Sequence, residues 1–413
     1  MDTSSNRVLA LLGPYRGLPR EVYILFIARI INATGSFIFP LMTLILTKKI
    51  GFSADIAGIV MSVAGILFML TSLLAGKLTD SFGRKKLVII FTSLSAACYI
   101  IISILGSNVA MVPLLIAAGM LSNMAWPAQG AMIADLTNPN NRKATYSLFY
   151  MGMNIGFAVS PLIGGVLFEK HLRLLFIGDA ITTLISTALI FLYVEETIQK
   201  TEDNMDEERK NERRLEGSTL KVLISRPILI FYAFVMFGYN FVYSQLGFLY
   251  PIDLEHIYPN KGAVFFGRFM GFNAVLVIVL TPVLTALIAK FKDLKVIFAG
   301  GILYSIGFGM LGFVNTMFAY IASNFIITIG EIIVTTCSMP FVTNRTPASH
   351  RGRINSVLPL IMNMGQTIGP LIMGSFIAMT SMRSGWMFTG SIMFIFSFFM
   401  LLLYKYDSKK EVS

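Results

Sequence analysis

The chain has 413 residues, 55% of them hydrophobic and only 13% charged, about half the ~25% charge of a soluble domain. With a mean hydropathy of +0.73 and ~20 apolar residues needed per membrane span, soluble multidomain architectures are excluded in favour of an all-α polytopic membrane protein. Two cysteines in apolar runs, Cys98 and Cys337, exclude a disulfide scaffold and a Cys-based zinc site, and the three histidines lie too far apart to cluster on a metal.

Along the chain, the first twenty residues hold one short apolar run, Val8–Leu12, too short for the core of a signal peptide. The first span is therefore internal and uncleaved, at 22–47. Five more apolar runs follow at 54–76, 87–105, 110–134, 145–168 and 174–194. A polar stretch at 195–226 carries nine acidic and seven basic residues among 32 and reads as a solvated tether. Six further runs lie at 227–250, 262–289, 294–314, 316–341, 354–378 and 385–404. The expected organisation is a six-helix bundle at 1–194, a charged cytoplasmic linker at 195–226 and a second six-helix bundle at 227–413.

Charge tests this topology independently. With the N-terminus placed inside, 25 of the 33 Lys and Arg fall on cytoplasmic segments, six on outer loops, and two, Arg29 and Arg268, inside spans. That bias and an even number of spans put both termini in the cytoplasm. The basic residues are spread over seven short segments, so the net charge of +11 marks topology and not a nucleic-acid face.

The two halves align at a constant offset of 209 residues. Met153, Asn154, Gly156, Pro161, Leu162, Ile163 and Gly165 meet Met362, Asn363, Gly365, Pro370, Leu371, Ile372 and Gly374. Arg142 meets Arg351, Ser147 meets Ser356, and Phe82 meets Phe291 at the same offset. Six spans repeated in one orientation describe two bundles related by an axis along the membrane normal, with a midplane site and alternating access, as in many secondary transporters.

Between spans two and three stands Gly76-Lys-Leu-Thr-Asp80-Ser-Phe-Gly83-Arg84-Lys85. It resembles the G-x-L-x-D-x-x-G-R-K signature of the major facilitator superfamily. The glycines permit close approach and a tight turn, Asp80 can cap a helix start, and Arg84 can bind carboxylates. The resemblance implies a cytoplasmic latch of Gly76, Asp80, Gly83 and Arg84, joined by Asp135 and Arg142, with Asp135 as a partner for Arg84. In the second half Ala289, Lys292 and Asp293 replace Asp80, Gly83 and Arg84, and Asn344 replaces Asp135, so an intact latch is expected in the first half alone.

Span five reads Gly156-Phe-Ala-Val-Ser160-Pro161-Leu-Ile-Gly164-Gly165, similar to the G-x-x-x-G-P-x-x-G-G antiporter motif with Ser160 in place of one glycine. Small residues four apart let helices pack closely, so the motif also has a purely structural use. In span ten, Glu331 has no charged residue among the twelve before it or the thirteen after it. Intramembrane carboxylates are costly and mark function. Together with Asp135 and Arg142, this stretch resembles the drug:proton antiporter branch of the superfamily, the LmrP-like multidrug exporters with twelve spans. There a glutamate at this place serves substrate and proton handling. Two features depart from those patterns: Phe149 stands where that group has a further carboxylate, and span four lacks R-x-x-Q-G.

Arg29 and Asn32, one turn apart in span one, are candidates for the same proton and substrate work, Arg29 through an anionic substrate group or an exchangeable ion pair. Tyr239, Asn240, Tyr243 and Gln245 in span seven are candidate cavity-lining groups. Arg268 is assigned to packing or an outer gate, and Asp179 to local pairing. No G-x-x-x-x-G-K-[ST] occurs, which argues against a built-in ATPase. The expectation is a monomeric, proton-driven, cofactor-free exporter of small hydrophobic or amphipathic compounds in a bacterial plasma membrane, and not an enzyme. A lipid or glycolipid flippase and a proton-coupled nutrient symporter are the alternatives.

Overall fold

Apolar runs of this length form helices in lipid because a helix satisfies its own backbone hydrogen bonds. The structure, a computed structural model, describes residues 16–137, 139–197, 227–288, 290–314, 316–345 and 351–412. The Val8–Leu12 run, and the expected linker from residue 198 onward, lie outside them. Among the described residues there are fourteen α-helices and no strand. They are α1 (Arg20–Gly35), α2 (Ile38–Leu44, continued by a π-helical turn Ile45–Lys49), α3 (Ala54–Phe82), α4 (Arg84–Leu105), α5 (Met111–Asp135), α6 (Pro139–Lys170) and α7 (Leu172–Tyr193), then α8 (Pro227–Tyr243, followed by a 3-10 turn Ser244–Leu246), α9 (Leu249–Ile257), α10 (Gly262–Ile288), α11 (Asp293–Gly309), α12 (Met317–Arg345), α13 (Arg351–Met379) and α14 (Met382–Val412).

These helices supply twelve segments long and apolar enough to cross a membrane, from Arg20–Lys49 to Met382–Lys409. Span seven departs most from expectation. It runs Pro227–Ile257 instead of stopping at 250, because the helix breaks at Ser244–Leu246 and resumes as α9. Pro251 is tolerated there in the first turn, where its missing N–H is not needed. Asp253 is buried, accepting from Trp386 Nε1 at 2.6 Å and from the Tyr320 hydroxyl. Span one breaks too, at Ser36–Phe37 between α1 and α2. At the 209-residue offset Ser36 corresponds to Gln245, so the two lead helices of the repeat break at matching places.

The described residues form two compact units, those within 16–40 and 66–197, and those within 41–65 and 227–412. In the first unit α1 packs on α6 and α7, and α4 packs on α5 and α7. In the second, α8 packs on α13 and α14, and α11 packs on α12 and α14. The same four neighbour relations thus recur six spans later. Lipid provides no hydrophobic drive for helix association, so close packing of small residues must supply it. A Cβ on Gly156 of α6 would lie 2.6 Å from the Ala33 carbonyl carbon of α1, and one on Gly365 of α13 would lie 2.9 Å from the Phe237 carbonyl carbon of α8. The repeat keeps glycine where two backbones meet. The buried core of the first unit includes Leu25, Ala28, Val88, Ala128, Met132 and Ile190. Large apolar side chains such as Ile104, Phe191, Val279 and Phe318 stand exposed, as lipid-facing surfaces require.

Residues 41–65 are tied into the second unit by polar contacts. Thr43 Oγ1 donates to Gly247 O at 2.7 Å, Lys48 Nζ meets Glu255 Oε1 at 2.5 Å, and Ser62 Oγ accepts from Leu371 N at 3.2 Å.

Candidate functional site

In the second unit, Glu331 sits mid-way along α12, where an apolar run carries no other charge. Asn273 of α10 donates through Nδ2 to Glu331 Oε2 at 3.0 Å and to Thr328 Oγ1 at 2.8 Å. Thr328 in turn donates to Asn324 O at 2.7 Å, and Asn324 Nδ2 reaches Phe269 O at 3.3 Å. The Tyr243 hydroxyl completes the hydrogen bonds to the carboxyl. Three helices, α8, α10 and α12, therefore converge on one carboxyl through neutral partners. Among the described residues no cation forms an ion pair with Glu331.

Of the four span-seven candidates, Tyr243 belongs to this cluster and the others do not. Tyr239 is 1% exposed and donates to Ile297 O at 3.1 Å, so it packs α8 on α11 and presents no surface to a cavity. Gln245 is fully buried at the break, with Nε2 on Phe241 O at 3.0 Å. Asn240 Nδ2 bonds Met362 O of α13 at 3.1 Å. Short-range pattern finds polar groups on a helix, but which way they face is decided by the neighbouring helices. Asn273, Thr328 and Asn324 carried no sequence signal, because neutral amides and hydroxyls are common in spans and their partners lie on other helices.

In the first unit, Arg29 is held by soft contacts. Its guanidinium lies 4.1 Å from the Trp126 ring centroid, and Nη2 approaches Met153 Sδ at 3.3 Å. Among the described residues it forms no ion pair. Asn32 Nδ2 donates to Thr183 Oγ1 at 3.1 Å. Both residues line a small cavity with Gln129, Phe149 and Ser186, sized for about one water. Arg268 is exposed, with its guanidinium 5.8 Å from the Phe265 ring.

The residues expected to form the latch stand in a compact charge cluster at the α3–α4 turn. Gly83 makes that turn in one residue, at φ +93°, a conformation open chiefly to glycine. Arg84 then pairs with Asp135 at the end of α5, and its Nη1 also donates to Ala131 O at 2.9 Å. Glu196, a partner with no sequence signal, accepts from the backbone amides of Arg84 at 2.9 Å and Lys85 at 3.1 Å. Here a carboxylate caps the positive end of α4. Gly76 and Asp80 lie in α3 and Arg142 in α6, but their side chains fall outside the described residues. Gly156, Pro161, Gly164 and Gly165 are all buried, and Ser160, the departure from the antiporter motif, donates from Oγ to Ser36 O at 2.6 Å. That bond satisfies a carbonyl freed by the break in span one. In the second unit a different charge group stands at the matching helix ends. Arg345 Nε donates to Asp407 Oδ1 at 3.2 Å above the Phe341 ring, beside a cavity of about 210 Å³ that Lys292, Asp293 and Tyr404 also line.

The sequence profile described as Major Facilitator Superfamily matches residues 25–358 and 269–413. A Na(+), Li(+), K(+)/H(+) antiporter of Planococcus maritimus is 24% identical over 397 residues, covering 86% of this chain and 93% of the relative. The quinolone resistance protein NorA of Staphylococcus aureus (strain COL) is 22% identical over 363 residues, covering 86% and 89%. Among solved structures, a peptide transporter POT in complex with sulfate superposes with a TM-score of 0.77 at 17% identity over 95% of both chains. The nucleoside transporter NupG does so with 0.77 at 13% identity over 94% of this chain and all of that one. At such identities the structures speak for the fold alone. The profile match covers the chain almost end to end, and with twelve membrane-length helices in a repeated packing scheme it identifies this chain as a member of the Major Facilitator Superfamily, an integral membrane transporter and not an enzyme.

Proposed function

We propose that this transporter is a proton-coupled antiporter that exports small hydrophobic or amphipathic compounds, such as drugs, by alternating access. The observation that carries the reading is Glu331, a carboxyl inside span ten whose hydrogen-bond partners, Asn273 and Tyr243, are neutral. Such a group can exist charged or protonated without losing a fixed counter-ion. In the proposed cycle Glu331 takes its proton from outside, substrate leaves, and the proton is released inside. Two relatives named for proton exchange and for quinolone resistance support the two halves of this reading. The membrane potential supplies about 2.3 kcal/mol per charge per 100 mV and each pH unit about 1.4 kcal/mol, so one proton per cycle sustains a useful gradient without a bound cofactor. The experiment is efflux of a lipophilic fluorescent dye from a hypersensitive strain. Efflux should collapse with an uncoupler and be lost in Glu331→Gln, while gradient-independent exchange of dye persists. Undiminished uphill efflux by Glu331→Gln would sink the mechanism.

A second reading has its own observation. Glu331, Thr328 and Asn324 bring carboxyl, hydroxyl and amide oxygens into one place, a chemistry that suits hard cations. On this reading the transporter exchanges a monovalent cation for protons. Proton movement in inverted vesicles that answers to added Na(+) or K(+) but not to dye would favour it.

A further inference from the structure

Inside the first unit one cation stands apart from any acid. Arg29 lies about 13 Å along α1 from Arg20, at a rise of ~1.5 Å per residue. Its guanidinium rests 4.1 Å from the centroid of the Trp126 ring, and Trp126 is itself more than two turns short of Asp135, where α5 ends. The side chain therefore stays at depth and does not reach back to the interface. The spans of this unit at 22–40, 87–134, 144–168 and 174–194 contain one acid, Asp179. Asp179 stands a turn beyond Thr183, the partner of Asn32, and among the described residues no ion pair joins it to Arg29.

The fold does not ask for a charge at this place. At the 209-residue offset Arg29 corresponds to Gly238, where the Phe396 ring fills the space a side chain would take. A guanidinium offers five N–H donors, and its neighbours here, the Trp126 ring and Met153 Sδ at 3.3 Å, are soft ones. Arg29, Gln129 and Met153 are partly exposed and Trp126 is half-exposed, so an incoming molecule can reach the fork. Asn32, Gln129 and Ser186 give the adjoining small cavity a polar edge, and Phe149 an apolar one. Intramembrane cations pair with acids or mark substrate pathways, and Arg29 has no paired acid among the described residues.

We propose that Arg29 anchors a substrate subsite for amphipathic organic monoanions, compounds that join one carboxylate to a flat apolar body. The planar fork takes the carboxylate in a bidentate, charge-assisted pair. Trp126, Phe149 and Met153 meet the apolar body. One negative charge balances one cation, whereas a second would itself be stranded in the span. The inference deepens the reading of this chain as an exporter of amphipathic compounds and rests on it.

The test compares pyrenebutyrate with its uncharged analogue pyrenebutanol on the full-length protein in phosphatidylcholine nanodiscs. Binding is read as energy transfer from tryptophan to pyrene, with protein-free nanodiscs subtracted. Pyrenebutyrate should bind about ten- to hundred-fold more tightly, the scale of a hydrogen bond to a charged group. Arg29→Gln should erase that preference, and Arg29→Lys, a charge without the fork, should keep part of it. Equal binding of the two probes to the wild type, or a preference that survives in Arg29→Gln, would overturn the proposal. If Arg29→Gln does not fold, the wild-type preference and its reduction in Arg29→Lys decide it. In proteoliposomes with an imposed pH gradient, the protein should drive pyrenebutyrate toward the acidic side, against the passive drift of a weak acid. Pyrenebutanol that moves uphill while pyrenebutyrate is bound but not moved, and is displaced by a short-chain phosphatidylglycerol, would make this a lipid-headgroup site and overturn the substrate assignment. Gradient-driven movement of neither probe, with the binding preference intact, would instead sink the exporter reading.

Discussion

Replacing Gly156 with alanine tests whether the repeat is held together by backbone-to-backbone contact. The added Cβ would stand 2.6 Å from the Ala33 carbonyl carbon and 2.8 Å from the Thr34 nitrogen, about 0.8 Å inside the 3.4 Å at which ordinary contact begins. The Ala33 Cβ stands closer still, and since it is fixed to the main chain of α1, none of the three obstacles can rotate out of the way. The α1–α6 pair must separate by most of that distance, weakening dispersion contacts along the whole face. Overpacking of this kind costs ~1–3 kcal/mol, and a backbone obstacle puts Gly156→Ala toward the upper end, ~2–3 kcal/mol. Gly365→Ala, at the matching place in the second unit, should lose a similar amount. Gly130 supplies the control, because a Cβ there has nothing within 4 Å, and alanine should be neutral or gain up to ~1 kcal/mol from helix propensity. Reversible unfolding in mixed micelles, with the three variants measured beside the wild type, gives the comparison. Equal stability of Gly156→Ala and Gly130→Ala would refute the account of the repeat as a close-packing device.

Two further outcomes follow from the charge clusters. Arg84 and Asp135 pair with side chains 12% and 5% exposed, so Arg84→Gln and Asp135→Asn should each destabilise the purified transporter, by up to ~3–5 kcal/mol when the remaining charge is stranded. The double variant should cost less than the sum, and strict additivity in the cycle would deny the pair any coupling. Glu255 accepts from Lys48 and also from the backbone amides of Asn260 at 2.8 Å and Gly262 at 3.1 Å. Glu255→Ala should therefore lower thermal stability more than Lys48→Met does, by the ~1–3 kcal/mol of unsatisfied amides, and a larger loss in Lys48→Met would contradict it.

How much was legible in the sequence varied with the range of the interaction. The α3–α4 turn was legible because Gly83 and Arg84 act within a few residues of each other, and the intramembrane place of Glu331 because a lone acid in an apolar run announces itself. Asp135 could be named as a partner of Arg84 only through resemblance. Glu196, 112 residues from Arg84, could not be named at all. In the second half, where Lys292 and Asp293 replace the motif residues, a differently built charge pair stands at the matching helix ends, Arg345 with Asp407, whose members are 62 residues apart. The two breaks left no periodic trace either, since Ser36 carries no mark in the sequence and Gln245 reads there as a cavity-lining group.

Composition and the spacing of apolar runs by themselves determined the twelve spans, because the thickness of a bilayer sets helix length whatever the helices later touch. The 209-residue repeat likewise stood in the sequence, being a relation between residues and not between positions in space. Only the tertiary structure decided which polar groups inside those spans meet. It brought Asn273 to Glu331, set Ser160 against the broken end of α1, and turned Tyr239 into a packing residue. In an apolar medium a polar side chain must find a partner, and that partner sits on whichever helix the packing of small residues has placed beside it.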